Sequence, residues 1–195
     1  MKSIRYLFEY ILIIILFCLF KLLGYRIASE FGYILGKTFG PFFRSKKVIK
    51  NNLIKFDSAL TLEKISNISK EMWGNYGRIL SEYPFISNFR KGDLNKYIKI
   101  ENKEKLEEIK NGQPVIFVSA HFSNFELMAM VIEKAGVNLS AIYRPLNNKM
   151  VNSIMEPLRK KYICKNQIKK GINGVRESLK FFKQGVSIAI MIDQR

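Results

Sequence analysis

Residues 114–136 read PVIFVSAHFSNFELMAMVIEKAG, and this stretch decides the fold class. Val115 to Val118 is a short apolar run behind Pro114, the pattern of a buried strand. From Asn124 to Lys134 the apolar residues recur with helical period, and Gly136 ends the helix. The alternation continues downstream. Leu139 to Tyr143 predicts a second strand, and Asn147 to Lys161 a helix with a kink at Pro157. Tyr162 to Cys164 predicts a short further strand, Ile172 to Lys183 a helix stopped by Gly185, and Val186 to Ile192 another strand. Strands alternating with helices imply an α/β fold, a mainly parallel sheet flanked by helices. In such sheets sites form at the carboxyl ends of the strands, and His121, Arg144 and Asp193 each fall directly after a predicted strand.

Upstream of this stretch the chain is organised differently. Residues 103–110 predict a short charged helix closed by Asn111-Gly112, and residues 59–80 a helix starting near Ser58 or Thr61 and ending by Pro84. Residues 26–58 mix aromatics, glycines and basic residues around the breaker Gly40-Pro41, a composition suited to lying along a membrane surface. At the start, Ile11 to Phe20 lacks a polar side chain, and the apolar segment reaches a membrane-spanning length only with Glu9 and Lys21 near its two ends. No small-residue cleavage site follows it, which favours an uncleaved N-terminal membrane-anchoring helix over 1–25, ahead of a body over 26–195. A buried core helix has the same composition. Basic residues are denser after the segment, at Lys21, Arg26, Lys37, Arg44, Lys46, Lys47 and Lys50, which puts the body on the cytoplasmic side.

The formal net charge of +17 favours anionic partners such as acidic lipid, phosphate groups or an acidic protein. No nucleic-acid-binding motif accompanies it, so nucleic acid is not expected as a partner. Cys18 and Cys164 make no disulfide framework, and a single histidine rules out a His-rich metal site. Any histidine chemistry falls to His121.

The string Ser119-Ala-His121-Phe-Ser-Asn-Phe-Glu126 carries the chemistry. On one straight helix His121 and Glu126 would lie about 140° apart. They meet only if His121 occupies the turn and Glu126 the first turn of the following helix. Glu126 then accepts a hydrogen bond from one imidazole nitrogen and leaves the other to take a proton from a hydroxyl. Ser123-x-x-Glu126 is equally a capping box that closes the helix start, and the residues alone leave both readings open. Arg144 suits a phosphate or a substrate oxygen, or a structural ion pair. Asp193 suits a basic partner or a substrate hydroxyl near His121, or a strand-end cap. Met128 and Met130 fit a core better than the lining of a binding tunnel.

The string resembles the H-x4-D/E signature of glycerolipid and lipid A acyltransferases. Further blocks resemble the lipid A lauroyl/myristoyl acyltransferases in the same order: Trp73-Gly-Asn-Tyr-Gly77-Arg78 with Glu82-Tyr-Pro84, then Tyr143-Arg144-Pro145 with Asn147-Asn148, then Asp193-Gln194, behind an N-terminal anchor. The resemblance implies transfer of a fatty acyl chain from acyl carrier protein to a hydroxyl of a lipid A precursor at the bacterial inner membrane. It also implies His121 as base, Glu126 as its partner, and no metal or cofactor. The absence of a G-x-S-x-G elbow agrees with transfer without an acyl-enzyme. The chain stops directly after the Asp193-Gln194 block, whereas the family continues, so an inactive truncated homologue is one alternative. A lysophospholipid or glycerol-phosphate acyltransferase is the other.

Overall fold

The computed structural model describes residues 2–43 and 45–193. Arg44 of the basic stretch and Gln194 of the last family-like block lie outside the described residues. Helix α1, Lys2–Leu23, opens the chain and is long and apolar enough to cross a membrane, with only 6% of its apolar window buried. The chain divides into two compact units, Ile15–Phe85 and a second made of Met1–Ile14 with Ile86–Arg195.

The first unit is a helical hairpin. Helix α2, Tyr25–Phe39, follows the break at Gly24, and Gly40-Pro41 turns the chain through a 3-10 turn into α3, Lys46–Phe56. Helix α4, Leu62–Glu82, starts at Thr61, whose hydroxyl accepts from the Lys64 N–H, so it runs much as the sequence predicts. Helices α2 and α4 meet backbone to backbone. A Cβ on Gly36 would lie 2.2 Å from the Trp73 carbonyl, and one on Gly77 2.0 Å from the Gly32 carbonyl. Glycine at both positions is what permits this approach. Charge pins the hairpin: both Arg78 amino groups reach Glu30, at 2.8 and 3.0 Å, and the buried Glu82 accepts from Ser29 at 2.7 Å. Gly77, Arg78 and Glu82 of the family-like block thus build this hairpin.

The second unit holds the sheet. Helices α5, Ile86–Lys91, and α6, Lys103–Asn111, lead to β1, Ile116–Ser119. Then come α7, Glu126–Lys134, β2, Leu139–Tyr143, and α8, Lys149–Leu158. The chain continues through β3, Asn166–Lys169, and α9, Ile172–Lys183, to β4, Ser187–Met191. All four strands are parallel, in the order β1-β4-β2-β3, with helices packed against them. The core centres on Met130, Leu139, Ile163, Cys164 and Ile168. Burial pushes the Cys164 thiol up to about 12, so it packs as an inert apolar group.

One sequence expectation is corrected here. Tyr162 to Cys164 is not a strand. The helix continues past Pro157 into a π-helical turn, Arg159–Ile163, and the strand begins three residues beyond Ile163, at Asn166. The last strand, β4, sits between β1 and β2. The crossovers leave a gap between the first two strands, and β4 fills it. Asn148 of the Tyr143-Arg144-Pro145 block caps α8 through its Oδ1, and its Nδ2 donates to the Tyr6 carbonyl and Glu9 near the start of α1. All its polar capacity is used, which suits a side chain 7% exposed.

Candidate active site

The register between β1 and β4 makes the site. Ser119 pairs with Met191, so two residues further on His121 and Asp193 stand side by side. Asp193 Oδ1 lies 2.7 Å from His121 Nδ1, and Asp193 Oδ2 accepts the His121 backbone N–H at 3.1 Å. The carboxylate therefore grips ring and backbone together. Burial raises the Asp193 carboxyl, but the hydrogen bonds from His121 outweigh it and hold it below its ordinary value. Asp193 is thus ionised at neutral pH, and its partner at Nδ1 is a donated proton. That tautomer leaves the lone pair of a neutral imidazole on Nε2. The Phe125 ring meets the imidazole edge to face, at 4.5 Å between centroids, and fixes its plane.

Glu126 opens α7 and is 8% exposed. The residue before the helix, Phe125, makes no side-chain cap, and Ser123 takes a left-handed conformation at φ 44°. The Glu126 carboxylate is engaged by Arg159, whose Nε donates to Oε1 at 2.9 Å and whose Nη2 donates to the same oxygen. The sequence reading gives Glu126 the task of holding the imidazole; in the structure Asp193 stands at Nδ1, and Glu126 pairs with Arg159. Strand register decides this, and register is invisible in the spacing of one motif. Arg159 was not singled out by sequence. It stands first in the basic run Arg159-Lys160-Lys161, and only the π-helical turn after Pro157 distinguishes it from its neighbours. Its guanidinium also lies 5.8 Å from the centroid of the Tyr143 ring.

His121, Glu126, Tyr143, Arg144 and Arg159 border a cleft of about 430 Å³. Ala141 and Ala189, paired across β2 and β4, line it and leave room above the sheet. Arg144 is exposed, and Met128 lines the cleft whereas Met130 is core. The Tyr143 hydroxyl is pushed up to about 12 by burial and by the Glu156 carboxylate, so it stays protonated. Among the described residues no group of three or more His, Cys, Asp or Glu side chains forms a metal site. The arrangement offers a base, cations for developing negative charge, and an apolar floor.

Over residues 1–195 the chain matches the family of bacterial lipid A biosynthesis acyltransferases. It belongs to that family. No curated protein and no solved structure matches it.

Proposed function

We propose that the protein transfers a fatty acyl chain from acyl carrier protein to a hydroxyl of a lipid A precursor, with His121 as general base. The observation that carries this reading is the His121–Asp193 pair beside the cleft, which leaves Nε2 to accept a proton. In the reaction Nε2 takes the acceptor hydroxyl proton as the oxygen attacks the thioester carbonyl. The C–O bond forms, the C–S bond breaks, and the leaving thiolate recovers the proton from the imidazolium. Asp193 steadies the imidazolium charge. Arg144 and Arg159 provide cationic groups for the carbonyl oxygen as it gains negative charge, or for substrate phosphate. Glu126 holds Arg159 in place, and through the short turn supports the His121 segment. The thioester supplies the activated acyl group, so the chemistry calls for no cofactor. In this reading residues 1–25 anchor the acyltransferase body, 26–195, on the cytoplasmic side of the inner membrane.

Donor and acceptor competition tests the reading. Membranes carrying the protein should acylate a tetra-acylated, Kdo-bearing lipid A precursor from the acyl carrier protein thioester. Lysophosphatidic acid should be a poor acceptor. Preference for lysophosphatidic acid would move the protein to glycerophospholipid synthesis.

A further inference from the structure

We propose that the corner between α2 and α3, together with α3 itself, is a second membrane attachment that binds the surface of an anionic bilayer. The proposal does not depend on the chemistry at His121. Helix α3 has no buried residue and no acidic one. It carries Lys46, Lys47, Lys50 and Lys55, all exposed. At about 100° per residue, Lys46, Lys47 and Lys50 share one sector with the exposed Ile54. Near this basic face stand large apolar side chains that remain mostly exposed. Phe42 and Phe43 at the corner are 85% and 80% exposed, and Phe56 at the far end of α3 is 89% exposed. Exposed lysines on one short helix, with exposed aromatic rings at its end and in the turn that leads to it, match an interface where rings enter the headgroup layer and ammonium groups meet lipid phosphates. An acidic protein or nucleic acid would engage the lysines but would leave the three phenylalanines unused, so the bilayer is the better occupant.

The site is distinct from the attachment that α1 can make. Phe17 and Phe20 of α1 contact Tyr83 and Phe31, toward the end of α4 and the middle of α2. The α2–α3 corner lies at the opposite end of the hairpin, against Trp73, which touches Phe43 and underlies Gly40. From Trp73 to Tyr83 the helical rise is about 15 Å. Trp73 is the only tryptophan in the chain, so its fluorescence reports on this corner alone.

The test reconstitutes the full chain in vesicles with brominated acyl chains, once with phosphatidylcholine and once with phosphatidylglycerol at equal bromine content. Quenching of Trp73 should be at least twofold greater in the anionic vesicles. Changing Lys46, Lys47, Lys50 and Lys55 to Gln should equalise the two, and Phe42→Ser with Phe56→Ser should lower quenching in both, while the variants still float with the vesicles. The wild-type comparison needs no variant, so it stands even if a variant fails to fold. Equal quenching of the wild type in both vesicles, or quenching unchanged by the lysine substitutions, would overturn the proposal. So would a Trp73 emission shift caused by purified acyl carrier protein and lost with the lysines, with no bilayer effect, since the surface would then belong to an acidic protein.

Discussion

Asp193 fixes which nitrogen of His121 serves as the base: its Oδ1 engages Nδ1, and its Oδ2 accepts the backbone N–H and anchors the residue. Asp193→Asn keeps the shape and removes the charge, so transfer should fall about 10²- to 10⁴-fold while the circular dichroism spectrum and denaturant midpoint stay close to wild type. A rate near wild type would remove Asp193 from the mechanism. The neighbouring Glu126–Arg159 pair is nearly buried, with side chains 9% and 13% exposed. Arg159→Met should remove the guanidinium from this nearly buried ion pair and cost roughly 3–5 kcal/mol in urea unfolding. Adding Glu126→Gln should recover most of that stability but not the activity. Glu156 gives a pH signature. Lys160 foremost, with Tyr143 and Asn152, holds its carboxyl at about 2 against an ordinary 4.5. A lowered folded value means the stabilisation is present above about 4.5 and is lost as pH falls towards 2. Glu156→Gln should therefore lower the unfolding midpoint at pH 6, and the gap from wild type should shrink through that acid window. A gap independent of pH would place the effect in packing.

At the scale of elements, the hairpin of α2 and α4 depends on absent side chains. Gly36→Ala would place a methyl 2.2 Å from the Trp73 carbonyl, a clash that only separation of the helices relieves. We expect a loss of about 1–3 kcal/mol, read by urea unfolding and by a red shift of the Trp73 emission as the helices part. Gain of stability from the better helix former would contradict the close approach. Element positions in the second unit were largely legible beforehand. The strand at Leu139–Tyr143 and the helix at Ile172–Lys183 carry unmixed periodicity and clear stops, and both appear as read. Tyr162 to Cys164 misled because a short β-branched and aromatic run in isolation looks like a strand, whereas the chain is still completing a helix that passes Pro157 into a π turn ending at Ile163. Polar Asn166–Lys169 gave no strand signal, since at the sheet edge only Ile168 needs burying.

Across the whole molecule, the parallel sheet and the placement of His121, Arg144 and Asp193 after strands followed from alternation of period alone. Which of those residues would touch did not, because contact depends on strand order. The insertion of β4 between β1 and β2 brings Asp193 to His121, and no local pattern records that choice. Arg159 was hidden for the same kind of reason: its role arises from the turn that aims it at Glu126, 33 residues away. The apolar α1 was plain from composition, while the exposure of Phe42, Phe43 and Phe56 became apparent only in the fold. The most direct test of the chemistry compares acyl transfer by the membrane-bound wild type with that of His121→Ala, using the acyl carrier protein thioester and the tetra-acylated, Kdo-bearing lipid A precursor. The wild type should transfer, and the variant, equally membrane-bound, should be slower by at least about 10². Transfer by His121→Ala at the wild-type rate would contradict a base at this position.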